Sequence, residues 1–173
     1  LAPPLFPNAL SYFTGTIDTR RYWDLTHGYT FAWRALGGAS GGTNPQTFQV
    51  GGYSTLRGYS NYALLGTRFA VTSFELRYPF IQQLGVVGPL PIGLFNLRGA
   101  SFVDMGSVWS GGDQLRFGSS NGGHYTLSSP RMGFGTGIRT AAFFMILKLD
   151  VAWRTNFAYV TRPAWFFSIG PEF

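Results

Sequence analysis

Along most of this chain apolar and polar residues alternate one by one, which is the period of an extended strand with two unlike faces. Between Phe69 and Phe80 the even positions Phe74, Leu76, Tyr78 and Phe80 are apolar, while Ser73, Glu75 and Arg77 lie opposite. Between Phe144 and Arg154 the odd positions Met145, Leu147, Leu149, Val151 and Trp153 form one apolar face, and Lys148, Asp150 and Arg154 stand on the other. Tyr29, Phe31 and Trp33 oppose Thr30, Ala32 and Arg34 in the same way; Met132, Phe134 and Ile138 oppose Arg131, Gly133, Gly135, Gly137 and Arg139. In the last stretch Trp165, Phe167, Ile169 and Phe173 alternate with Ser168, Gly170 and Glu172. The pattern predicts seven strands: Leu10–Tyr22, Gly28–Gly37, Thr67–Phe80, Ile92–Trp109, Arg131–Phe143, Phe144–Phe157 and Ala164–Phe173. Gly, Pro, Asn and Ser mark the turns between them. One connection, Gly38–Gly66, is much longer than the rest, and loops beyond about 12–15 residues are usually functional or disordered.

Composition decides which kind of strand protein this is. Hydrophobic residues make up 45% of the 173 residues and aromatics 18%, yet charged residues only 12%, against about 25% in soluble domains. So few charges leave little to solvate an ordinary globular surface. The longest purely apolar run, Ala141–Leu147, is far short of the roughly 20 residues a membrane helix needs. A closed barrel is then the way to satisfy backbone polar groups in lipid. The expected fold is all-β: an antiparallel transmembrane β-barrel, with one apolar face to lipid and one Arg/Lys/Asp/Gly face to a wet lumen. A soluble sandwich or ligand-carrying barrel would bury the same apolar faces in a core and would need no detergent for extraction.

The remaining composition removes other classes. There is no cysteine, so disulfides, thiolate nucleophiles and zinc-cysteine sites are absent. The net charge is +6, but the basic residues are spread about one per strand, whereas a nucleic-acid surface would cluster them. Gly133, Gly135 and Gly137 superficially echo a nucleotide loop, but no helix follows, and glycines facing a lumen explain the spacing. His27 and His124 fall in turns without catalytic or metal-ligand spacing, and Asp18, Asp24, Asp113 and Asp150 form no cluster in the sequence. No enzyme, cofactor or metal site is expected. The chain starts Leu1-Ala2-Pro3-Pro4 without a signal peptide, and seven strands is an odd number for a bacterial barrel. Residues 1–173 are therefore expected to be one barrel segment, belonging to a larger even-stranded barrel or to a reduced eight-stranded one.

Within the long loop stands Gly51-Gly52-Tyr53-Ser54-Thr55-Leu56-Arg57-Gly58-Tyr59, which resembles the VRGF/Y signature of the BamA/TamA outer-membrane assembly-factor superfamily, the bacterial surface antigen barrels. Phe74-Glu75-Leu76-Arg77-Tyr78-Pro79 is similar to that family's E-L-R-x-P strand, and Ser101–Trp109 to its F-x-D-x-G-x-V-W strand. Gly135–Arg139 and Leu149–Ala152 resemble the two strands that follow, and Phe167–Phe173 the closing strand. Leu56 stands where the signature has Val, and Pro171 near the end is a departure. The ordered set covers about residues 50–173, whereas the two strands before the loop carry no motif of their own.

The resemblance implies that the loop folds back into the lumen, where Arg57 meets acidic residues of the inner wall and Gly58 lets the backbone pass close to it. Alternation independently turns Glu75 inward, and Asp104 inward on the next strand alongside Asn96 and Arg98. A guanidinium presents a rigid fork of donors that carboxylates accept in pairs, and an exchange of Arg57 with Asp104 is expected to restore part of a broken pair. Phe167, Gly170, Pro171 and Phe173 resemble the closing-strand signal and the weak seam between first and last strands. The implied function is insertion or translocation of proteins at the outer membrane, with lipid, client barrels and periplasmic partners. The alternative is a passive pore or an anchor for a fused or partner periplasmic module.

Overall fold

A computed structural model describes residues 11–85, 93–111, 113, 119–121, 124–126, 130–142 and 145–170. β1 (Tyr12–Asp24) leads through one 3-10 turn at Thr26–Gly28 to β2 (Thr30–Gly42). The long connection holds two short strands, β3 (Phe48–Val50) and β4 (Leu64–Gly66). Then follow β5 (Arg68–Gly85), β6 (Gly93–Trp109), the short β7 (Ser119–Asn121) and β8 (His124–Thr126), β9 (Arg131–Ala142), β10 (Met145–Thr155) and β11 (Ala164–Ile169). The seven long strands form one antiparallel sheet in chain order, and β3–β4 and β7–β8 are separate hairpins. Among the described residues β1 pairs only with β2 and β11 only with β10, so the sheet is open at both edges.

The seven strands of the alternation are all present, with boundaries shifted for physical reasons. β2 runs on through Gly38–Gly42, residues that their composition would put in the loop. Aromatic rings fill the space those glycines leave: a Cβ on Gly38 would sit 2.5 Å from the Phe69 ring, and one on Gly41 2.6 Å from the Phe13 ring. Rings covering strand glycines are a known way to keep such a strand paired. β5 continues past Phe80 to Gly85, with the register slipping between Pro79 and Ile81. Proline has no N–H for the ladder and is tolerated at such a bulge. The two short hairpins lie in loops where no alternation marks them, and His124 opens β8 rather than standing in a turn. β11 ends at Ile169, with Gly170 in a bend; the last three residues, including Pro171 and Phe173, lie outside the described residues.

Register sorts the side chains onto two faces. On one face Ser73, Glu75, Arg77, Asp104, Arg139, Lys148 and Asp150 are buried. On the other, Phe74, Leu76, Phe80, Ile138, Leu149, Trp165 and Phe167 are exposed, Phe167 at 65%. Trp153 is partly exposed and stacks on Phe134 across the β9–β10 pair, at 5.9 Å between ring centroids. Trp23, Phe31 and Phe74 continue an aromatic row on the same outer face across β1, β2 and β5. This inverts a soluble protein, in which charged residues are almost never buried, and matches a wall with lipid outside. β10 has 11 residues; at about 3.4 Å each and tilted about 40°, they would span roughly 28 Å, close to the hydrocarbon thickness of a bilayer.

The apolar core is small and lies on the charged side of the sheet. Val50, Leu56 and Tyr59 of the long connection pack on Phe69 and Val71 of β5, with Leu36, Phe48, Leu64 and Val108 around them. The loop is thus seated on the inner wall by its own hydrophobic residues. Connections alternate in length: 25–29, 86–92 and 143–144 join the strands at one end, and 43–67, 110–130 and 156–163 at the other.

Leu76 lies near the middle of the outer face of β5, so Leu76→Arg is expected to cost about 2–4 kcal/mol in a bilayer. Urea unfolding of the protein in lipid vesicles measures this; an unchanged midpoint would place Leu76 away from lipid.

Candidate functional site

The site begins with backbone that only glycine adopts easily. Gly51, Gly52 and Gly58 have φ of 127°, 87° and 95°, the left-handed region that other residues rarely visit. The Gly52 N–H donates to the Tyr59 carbonyl at 3.0 Å, and the Leu56 N–H donates to the Gly52 carbonyl at 3.1 Å. Thr55 Oγ1 accepts from the Gly51 N–H at 2.8 Å. These bonds close residues 51–59 into a tight knot that pushes Leu56 into the apolar core and Arg57 toward the wall. A Cβ on Gly58 would lie 3.1 Å from the Trp153 carbonyl oxygen, and one on Gly133 would overlap the carbonyl oxygen of Arg57. Loop backbone therefore lies directly on β9 and β10.

From there the Arg57 side chain reaches β5 and β6. Its Nε and Nη2 donate to the two oxygens of Asp104, both at 2.8 Å, and its Nη1 donates to Glu75 Oε2 at 2.6 Å. The Arg57 backbone N–H adds a bond to Asp104 Oδ2 at 3.0 Å. The guanidinium carbon stands 3.5 Å from the centre of the Phe102 ring, a cation–π contact in a water-poor place. Arg57, Glu75 and Asp104 are 3%, 1% and 1% exposed. Burial by itself would lower the Arg57 pKa; the Asp104 and Glu75 carboxylates outweigh it and raise it above the ordinary value. The loop arginine is held charged.

The network extends beyond these three. Arg77 Nε donates to Glu75 Oε1 at 2.9 Å, and Arg139 Nη2 stands 3.6 Å from Glu75 Oε2. Arg139 holds both oxygens of Asp150, one through Nη1 and the other through Nη2 at 3.1 Å. Asp150 Oδ2 is in turn 3.8 Å from Arg57 Nη1. Asp150, Arg77 and Arg139 thus join a buried cluster; all three lie within the strand motifs, but the motifs give no sign that they meet. The available signal is parity, which turns all three inward. Arg98 does not join: it is exposed near a register shift in β6, and the Asn96 side chain lies outside those described.

A second set of ties binds the loop to the β1 side. Arg34 donates to the Ser54 carbonyl at 2.7 Å, and its Nε and Nη2 hold Asp18 of β1 at 3.0 and 2.9 Å. Asp18 also accepts from Arg20 at 2.7 Å. On the β10 side the Lys148 ammonium lies 5.2 Å from the Tyr53 ring, and the Arg154 guanidinium 5.2 Å from the Tyr59 ring. Burial pushes the Tyr53 hydroxyl up to about 12 and raises that of Tyr59, so both rings stay neutral. A cavity of about 360 Å³ remains beside the loop, bordered by Arg20, Arg34, Tyr53, Lys148 and Ser168.

Of the closing-strand residues, Phe167 points outward from β11. Gly170, at φ 149°, donates its N–H to the Ile146 carbonyl at 3.1 Å. β11 and β1 are not paired, so the described residues contain no first-to-last-strand seam. Among the described residues no group of three or more His, Asp or Glu is placed to hold a metal.

The family described as Omp85 superfamily domain matches residues 1–173, which agrees with the BamA/TamA-type resemblance of the motifs. No curated protein matches the chain.

Arg57→Ala leaves Asp104 and Glu75 buried without their main cation, and breaking a buried pair this way costs about 3–5 kcal/mol. Arg57→Lys is expected to recover little, because a point charge cannot replace the fork on Asp104. Exchanging Arg57 with Asp104 is also expected to fail, against the expectation from sequence, because the new carboxylate would face Glu75. Denaturant unfolding of the three variants tests this; a stable exchange variant would show that Glu75 is a minor partner. Gly133→Ala should lift the loop off the wall at a cost of about 1–3 kcal/mol, seen as faster proteolysis within residues 43–67. Unchanged cleavage would mean that the loop does not depend on this contact.

Proposed function

The chain belongs to the Omp85 superfamily, and from that premise we propose that it is an outer-membrane β-barrel wall that helps insert or translocate other proteins. Membership along residues 1–173 is the observation that carries the reading, since Omp85 superfamily proteins are outer-membrane proteins and the family is associated with insertion and translocation. The wall supports it from physical chemistry: aromatic and aliphatic residues outside, buried charges inside, and strands long enough to cross a bilayer. In outer-membrane barrels short turns face the periplasm and long loops the exterior. On that rule the Gly51–Tyr59 knot enters the lumen from the outer side, and β11 runs toward the periplasm.

Such a protein acts without cofactor or covalent chemistry. Its work is mechanical: an apolar outer surface beside a lumen whose loop is held in one place. Unpaired strand edges template further strands, and among the described residues β1 pairs only with β2 and β11 only with β10. The partners on this reading are outer-membrane lipid, client barrel proteins and periplasmic proteins. A second reading, a passive pore or an anchor for a periplasmic module, is favoured by the polar cavity left beside the loop.

The full-length gene product in vesicles of phosphatidylethanolamine and phosphatidylglycerol is expected to speed the folding of a urea-unfolded small outer-membrane barrel. Gel migration of unheated samples reads the folded fraction. Vesicles that pass small anions without speeding client folding would favour the pore and overturn the assembly reading.

A further inference from the structure

The outer wall carries a feature that the lumen network does not explain. On the half nearer the long loops, the lipid-side surface of β1, β2, β5 and β6 sinks into an apolar groove of about 590 Å³. Its floor is Ala35, Gly37, Ala70 and Thr72, and Trp33 and Trp109 stand at its margins. Two of the polar groups along it are satisfied within the wall: Trp33 Nε1 donates to Thr72 Oγ1 at 3.0 Å, and Thr72 Oγ1 donates to the Arg34 carbonyl at 3.2 Å. Side chains that turn their polar groups back onto the wall suit hydrocarbon.

Arg68 stands at the loop-side end of this groove. It is exposed, opposite Trp109 in the register of β5 and β6, and two residues from Ala70 on the same face of β5. In a barrel that face meets lipid. A cation is tolerated there only near the interface, where it meets headgroups and where aromatic girdles also stand. Groove and charge together describe an amphiphile, with an acyl chain along Ala35, Gly37 and Ala70 and a phosphate beside Arg68. We propose that this groove binds an anionic phospholipid, selected over zwitterionic ones by Arg68 and seated by the depression. The proposal rests on the membrane reading above and adds a defined lipid site to it.

The full-length protein in mild detergent, mixed with equal amounts of phosphatidic acid and phosphatidylcholine, provides the test, read by native mass spectrometry. One phosphatidic acid is expected to be retained in preference to phosphatidylcholine, roughly fivefold, the size of one basic residue's attraction to an anionic lipid. Arg68→Gln should remove the preference, and Ala70→Phe, which fills the floor while staying apolar, should remove the retained lipid. Both lie on the lipid face away from the Arg57 network, and unheated gel migration shows whether each variant folds. No preference in the parent protein overturns the proposal. Loss with Arg68→Gln but not with Ala70→Phe overturns the groove, as does displacement of the lipid by inorganic phosphate. Whether the protein is extracted from cells only by detergent tests the membrane reading separately, so failure of one is distinguishable from failure of the other.

Discussion

The pairing of Arg57 with Asp104 and Glu75 is the interaction on which the inner side of this protein depends. Three buried carboxylates, Glu75, Asp104 and Asp150, point to the same inner side from β5, β6 and β10, and carboxylates brought together repel unless cations stand between them. Arg139 and Arg77 come from the wall itself, but the Asp104 fork is filled from the loop. The loop is therefore a structural member of the wall. Without it, the wall would hold acidic residues facing one another across a poorly hydrated space.

That requirement accounts for the small residues around it. In the register row of Glu75 stand Ala32, Gly135 and Ala152, with the Phe102 ring against the guanidinium, and in the row of Asp104 stands Gly133. Larger residues there would keep the loop backbone from the wall, and the Arg57 side chain could no longer reach both acids. The apolar packing of Val50, Leu56 and Tyr59 on Phe69 and Val71 then fixes the loop along the strands, so hydrophobic contact supplies position and the ion pairs supply specificity. The Arg34 bridge from Asp18 to Ser54 carries the same attachment to the β1 edge. One loop thereby touches strands in both halves of the sheet.

The outer side follows a different constraint. Lipid asks only for apolar surface, so residue identity is loosely specified there and aromatic size sets the relief. Where small residues meet, as at Ala35, Gly37 and Ala70, the relief is a depression; where rings stack, as at Phe134 and Trp153, it is a ridge. An assembly factor and an inert anchor could share the same inner network, so their difference rests on the strand edges and on this outer relief.

Alternation alone determined the all-β class, the seven long strands and the face on which each side chain lies, because a strand's side-chain period is two and a bilayer punishes any slip. The loop motif together with parity was enough to bring Arg57, Glu75 and Asp104 into one proposal. Tertiary structure alone decided that Asp150, Arg139 and Arg77 belong to the same network, since parity says which face a residue takes but not which rows of neighbouring strands stand level. It also decided that Gly38–Gly42 is strand, because the rings of Phe69 and Phe13 that support those glycines come from other strands. The Arg34–Ser54 tie and the groove near Arg68 were hidden for the same reason: each joins residues far apart in the chain, and only strand register brings them side by side.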